Sequence, residues 1–234
     1  MLDVAVRKPD GSRVVDWQHV GMRTAPPLPV AGALRPVLPG GLRRGSTVAV
    51  SGSVSLVFAL LGAASGEGAW CALVGFPRIS AESAREYGID LRRLAIVPAP
   101  ELVPSGWLTA VGALLDAVDI VAARPPRARS SARLAPGDVR RLAARARSKD
   151  AVLMPCLAGG ETADWPGADV RLHASGGVWS GIGEGTGRLR ARRLEITASG
   201  KGQAARRRST SLWLPAASGG VGEDTIAPVI DLAG

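Results

Sequence analysis

Gly52 closes the apolar run "STVAVSG", and a helix-like stretch, "VSLVFALLGAAS", follows almost at once. In many nucleotide enzymes this junction is a phosphate-binding loop, G-x-x-x-x-G-K-[ST]. Its last glycine lets the main chain wrap the phosphate. Its lysine neutralises the β and γ phosphates, and the hydroxyl that follows holds Mg²⁺. Counted from Gly52, those places hold Val57, Phe58 and Ala59. Apolar bulk stands where phosphate should lie, and no lysine occurs between Lys8 and Lys149. The strand that should end in a metal-binding acid, "DIVAARPP", has Asp119 at its start and Arg124 at its end. The pattern predicts no tight Mg-ATP binding, no ATPase turnover and no bound cofactor. An ordinary strand-turn-helix satisfies it equally. The enzymatic alternative is an unorthodox loop served by Arg43, Arg44 or Arg78.

Other chemistry is scarce. Two cysteines, Cys71 and Cys156, lie in apolar runs, and two histidines, His19 and His173, are far apart in sequence. Buried, reduced thiols in a cytoplasmic protein are expected, with no catalytic residue and no metal cluster. The longest apolar run, near Leu56–Ala64, is about half of a bilayer span. The N-terminus, "MLDVAVRKPDG", lacks the pattern of a signal peptide. A cytoplasmic, nucleoid-associated protein with no membrane partner is the expectation.

The elements that must position any site come next. "TVAVS" (47–51), "AWCALVGF" (69–76), "LAIVPA" (94–99), "DIVAAR" (119–124) and "AVLMPCL" (151–157) are short apolar runs that predict buried strands. Between them, 54–65, 80–88, 105–118 and 136–150 predict helices. Ser80 is placed to cap the second, and Pro136 to start the fourth. Such alternation indicates an α/β fold with a mostly parallel central sheet flanked by helices. After residue 165 the pattern steps in twos between glycine turns, which predicts antiparallel hairpin strands extending the sheet at its C-terminal end. The division is an N-terminal arm (1–33), a core domain (34–214) and a flexible tail (215–234).

The net charge of +9 is uneven: residues 1–120 contribute +1 and residues 121–234 contribute +8. One-sided basic charge fits a polyanionic partner. Two clusters carry it. Arg188, Arg190 and Arg192 share one strand face beside Arg193. Lys201 precedes Arg206, Arg207 and Arg208 in a glycine-flanked turn. Together they are nucleic-acid candidates lining a groove for phosphates. Trp179 and Trp213, the nearest aromatics, read as core. Trp17 and Val20 in the arm, with Val229, Ile230 and Leu232 in the tail, are candidates for docking a partner.

The order "LPGGLRRGSTVAVSG", a helix, then "GAWCALVGFPRISAESAREYGIDLRRLAIVPAP" resembles the core of the RecA-type recombinases. The matching residues are Leu38, Gly40, Gly41, Leu42 and Gly45, then Ala84, Arg85, Gly88, Ile89 and Asp90. The resemblance spans roughly 34–214. It implies a RecA-like fold whose nucleotide place is Gly52 and its flanks, with Val57 and Phe58 filling the vacated pocket as core. The family's water-activating acid falls near Phe76-Pro77, and its DNA loops near 125–135 and 158–167 are short. A RecA-like chain without ATPase chemistry is similar to the ImuA and ImuA-prime accessory proteins of actinobacteria. That likeness implies a non-enzymatic scaffold in SOS-type mutagenic translesion synthesis. Its partner would be an ImuB-like inactive Y-family polymerase relative, with the RecA recombinase and single-stranded DNA as further partners. Regulation of recombinase filaments is the rival.

Overall fold

A computed structural model gives the fold and describes residues 25–76, 78–98, 104–126, 134–158, 165–183, 186–201 and 205–224. Its first five strands are β1 (Val48–Ser51), β2 (Cys71–Val74), β3 (Leu94–Val97), β4 (Ile120–Ala123) and β5 (Val152–Leu157). Helices α1 (Val54–Gly66), α2 (Ala81–Glu86), α3 (Pro104–Leu115) and α4 (Pro136–Ser148) connect them. Then come β6 (Val170–Gly183), β7 (Thr186–Gly200), β8 (Arg208–Trp213) and the short β9 (Gly222–Glu223). The sheet runs β3-β2-β4-β5-β1-β6-β7-β8-β9. It is parallel from β3 through β6 and antiparallel from β6 to β9. The expected fold class is therefore what forms.

β1, β2, β4 and β5 are buried on both faces, because successive side chains point to opposite sides of a strand. β3, expected to be buried, is the edge strand and leaves Ile96 47% exposed. In β4, Ile120 and Ala122 join one core, with α1, Leu34, Leu42 and Leu172. Val121 and Ala123 join the other, with Trp107, Val111 and Leu115 of α3 and Val139, Leu142 and Ala146 of α4. Trp107 meets Trp165 there, ring centroids 6.3 Å apart. Leu114 of α3 is only half-buried. The polar side of α4 is anchored where Arg145 Nε donates to Asp116 Oδ1 at 2.9 Å.

Helix α1 is apolar nearly all round, and the fold covers it nearly all round. The sheet takes one side. The other receives the 28–42 segment and the end of α2. A Cβ on Gly62 would lie 1.8 Å from the Tyr87 carbonyl oxygen, so that backbone rests directly on the helix. The "A-R-x-x-G-[IV]-D" residues build this contact. Ala84 and Ile89 are buried. Gly88 takes a left-handed φ of 85°. The Asp90 carboxylate accepts the Arg92 backbone N–H at 3.0 Å, capping the turn Leu91–Arg93 that leads into β3. In "LPGGL", Gly41 (φ 66°) brings Leu42 against Leu28, with reciprocal backbone bonds of 2.8 and 2.9 Å.

These contacts move two boundaries. Leu28, Val30 and Ala33, assigned to the arm, are buried in the core. The tail does not begin at 215, since Val221 packs on the core and β9 pairs with β8. Trp17, Val20, Val229, Ile230 and Leu232 lie outside the described residues, so their docking role is not addressed by the fold.

Gly62→Ala should destabilise the chain by about 2 kcal/mol or more, through overpacking against Tyr87. Helix propensity alone would favour alanine by about 1 kcal/mol. Urea unfolding checks the sign.

Candidate functional site

Parallel α/β sheets bind ligands at the carboxyl ends of their strands, so the residues around the end of β1 come first. β1 ends at Ser51 and α1 begins at Val54, leaving Gly52 and Ser53 as the whole link. A phosphate loop needs several consecutive backbone amides to wrap its ligand. Here Val57, Phe58 and Ala59 are already inside the helix. The phosphate loop is missing as a loop, beyond the changes at its diagnostic positions. Gly52 adopts φ 88°, and a Cβ there would lie 1.9 Å from the Ala174 carbonyl oxygen of β6. The turn is locked against its neighbour strand.

The vacated space is not filled as expected. Phe58 is buried, but it points to Tyr87, edge to face at 5.9 Å. Because the helix starts early, only Val57 of that pair faces the old site. A cavity of about 220 Å³ remains, lined by residues that include Ser51, Gly52, Val57, Phe76, Arg124 and Cys156. Among the described residues no lysine and no carboxylate line it. Phe76 occupies the neighbourhood of the expected water-activating acid. The Arg124 guanidinium lies 5.8 Å from the Phe76 ring centroid. A cation thus stands at the end of β4, where a metal site needs an anion. The described residues do not fit Mg-nucleotide. Arg44 cannot serve it either: its Nη1 reaches Asp119 Oδ1 at 2.7 Å, before the start of β4 and at the opposite edge of the sheet. Arg43, paired to Asp169 at 3.6 Å, lies at that far edge too. Arg78 is exposed and does not line the cavity.

One polar pair at this edge escaped the sequence. β1 and β6 align Ser51 with His173, and Ser51 Oγ lies 2.9 Å from His173 Nδ1. Their separation of 122 positions left no local signal. Both thiols are held inert by burial, which pushes each up to about 12; Asp119 adds to the rise at Cys71, and Arg124 opposes it at Cys156.

The two basic clusters do not form one groove. Arg188–Arg193 lie towards the start of β7, and Lys201 follows its end. Arg208 pairs with Ala198. Arg190 and Ala198 are about 25 Å apart along a strand. The first cluster rises past the carboxyl end of β1, since His173 already matches Ser51 and β6 runs on to Gly183. The second lies beside the opposite edge. Lys201 and Arg208, with Arg43, rim a separate groove of about 670 Å³ floored by Val37, Leu38 and Val170. Arg206 is exposed, and Arg207 lines a small cavity with His173.

Within the first cluster Arg193 is committed: its Nε donates to Asp224 Oδ2 at 2.7 Å. Trp179, read as core, is instead 43% exposed, with exposed Val178 and Leu189 near it. Trp213 is half-buried. The expected DNA loops fall largely on 127–133 and 159–164, outside the described residues.

Comparison with known proteins adds three findings. The family model for the MT3502 N-terminal domain matches residues 36–167. An uncharacterized protein of Mycobacterium tuberculosis (strain ATCC 25618 / H37Rv), Rv3395c, is 32% identical over 149 residues, which cover 62% of this chain and 65% of that relative. The match thus spans less than two thirds of the relative's own length. The crystal structure of the RadB recombinase aligns with a TM-score of 0.59 at 12% identity, over 82% of this chain and 96% of that one. At that identity the likeness shows the fold alone, and the fold is RecA-like.

Two outcomes test the site. Phe58→Lys, which restores the missing cation by alignment, should cost about 3 kcal/mol or more by burying a charge beside Tyr87. Calorimetry should show no gain in ATP affinity, because the loop is absent. For the thiols, the unfolded chain begins to lose protons near the ordinary value of 9.0, while the folded chain keeps them to about 12. Stability should therefore fall as pH rises through that window. Urea midpoints at pH 8 and 10.5 read the fall, and Cys156→Ala should reduce it.

Proposed function

The chain belongs to the MT3502 N-terminal domain family, and on that footing we propose that it is a non-enzymatic, RecA-like accessory protein of DNA-damage tolerance. The observation that carries this reading is the link of Gly52 and Ser53. A RecA-like fold works as a motor only if a loop after β1 grips the nucleotide phosphates, and here helix α1 begins in the loop's place. The cavity beside it, lined among the described residues by Arg124 and by no carboxylate, supports the same reading.

What such a fold retains is a scaffold. Leu38 to Gly45 and Ala84 to Asp90 carry the resemblance to RecA-type recombinases. Joined to the changed phosphate-loop positions, it makes the chain similar to the ImuA-type proteins, which supports a place in SOS-type mutagenic translesion synthesis. On this reading the chain holds an ImuB-like inactive Y-family polymerase relative, and works near the nucleoid with the RecA recombinase and single-stranded DNA. Among the described residues no helix is long and apolar enough to cross a membrane.

The tagged chain, recovered from cells after DNA damage, should retain a Y-family polymerase relative. Its ATP hydrolysis with Mg²⁺ should stay at background, with or without single-stranded DNA. Failure to recover that relative removes the partner. Turnover that Arg124→Ala abolishes removes the non-enzymatic half.

A further inference from the structure

The β6–β7 ribbon beyond β1 carries a surface that the core does not use. Trp179 and Arg192 are direct cross-strand partners. The Arg192 guanidinium lies 5.6 Å from the Trp179 ring centroid. Two glycines make room for this arrangement. At Gly177 (φ 140°), a Cβ would meet Arg192 Nε at 2.8 Å. At Gly181 (φ 105°), it would meet Arg190 Cγ at 3.0 Å and the Arg188 carbonyl oxygen at 2.3 Å. Gly177, Trp179 and Gly181 alternate along β6, with an arginine side chain laid over each glycine. Arg188 and Arg190 are exposed, and neither has an ion-pair partner among the described residues. Arg192 Nε is buried and meets no acceptor among the described groups. Val178 and Leu189, 68% and 51% exposed, add apolar area on the same ribbon.

Trp179 is 43% exposed on a ribbon that also exposes Val178, Leu189, Arg188 and Arg190, and a contiguous exposed apolar patch rimmed by polar groups marks an interaction site. A ring flanked by arginines matches single-stranded nucleic acid: an unstacked base lies on the indole while the guanidinium groups take the adjoining phosphates. A duplex keeps its bases stacked and offers the ring nothing. We infer that the Trp179–Arg190–Arg192 face of the β6–β7 ribbon is a stacking platform for single-stranded DNA or RNA, read without base preference. Arg188 extends the phosphate track, and Arg193, held by Asp224, stays out of it. The inference gives a location to the nucleic-acid contact in the damage-tolerance reading. It rests on that reading only for the biological setting, since binding by the purified chain and capture of the polymerase relative are separate measurements.

The test is fluorescence anisotropy of the full chain with a labelled single-stranded oligonucleotide across a salt series. Wild type should bind it more tightly than the matching duplex. Trp179→Ala should weaken binding about ten-fold or more, and Trp179→Phe should keep most of the affinity. Arg188→Gln with Arg190→Gln should lower the slope of log affinity against log salt by roughly 0.7 for each phosphate no longer neutralised. Arg206→Gln, at the far edge, should change neither. A thermal melt confirms that each variant is folded. No saturable binding by wild type, a preference for duplex, or loss that follows Arg206 in place of Trp179 overturns the inference. So does a Trp179→Ala chain that binds DNA normally but loses the polymerase relative, which would make the platform a protein-docking surface.

Discussion

The carbonyl oxygen of Ala174 stands where a side chain on Gly52 would have to go, and the carboxyl edge of the sheet is arranged around that approach. Because β1 and β6 are neighbours in register, the chain leaving Ser51 must turn at once. Only a residue without Cβ makes that turn at φ 88°. The helix then starts without delay. Its first turn brings Val57 to the cavity and Phe58 to Tyr87, and no stretch of free amides remains to cradle an anion. The departure from a phosphate loop is thus a property of the backbone as well as of the side chains at its diagnostic positions.

The turn after β1 is held by the shortness of its link and by packing. Val57 and Phe58 belong to a core that also takes in Leu34, Leu42 and Tyr87, so the helix is held from the sheet side and from the outer side together. Arg124 over Phe76 closes part of the neighbouring space with a cation–π contact.

Much of this was legible in the residues. The five parallel strands and four helices appear close to where apolar runs, Ser80 and Pro136 put them. The Gly41, Gly88 and Asp90 positions have local backbone reasons that a motif records. The failures share a cause. The place of Val57 and Phe58 depends on where α1 begins, which the spacing of a motif assumes and cannot measure. Val30 and Ala33 look like loop, because what buries them is distant in sequence. Along β7 the buried residue is Ala191 and then Leu194, Ile196 and Ala198, so alternation slips by one near Arg192. Register shifts against β6 accompany the slip. The exposure of Trp179, read as core, and the separation of the two arginine clusters, read as one groove, depend on this register and on the length of β7, which no local pattern shows. The glycines at 177 and 181 were the available signal, since they bracket Trp179 at strand spacing.

The order of strands in the sheet also has a consequence for how the chain is made. β1 is central, but Val50 finds Cys156 on one side and Leu172 on the other. During synthesis it leaves the ribosome about a hundred residues ahead of both neighbours, followed directly by an almost wholly apolar helix. Neither element can be sheltered by the sheet until the last third of the chain has emerged. The nascent protein therefore spends a long stretch of its translation with this apolar segment away from the sheet, a state in which chaperone capture and aggregation compete with closure of the sheet.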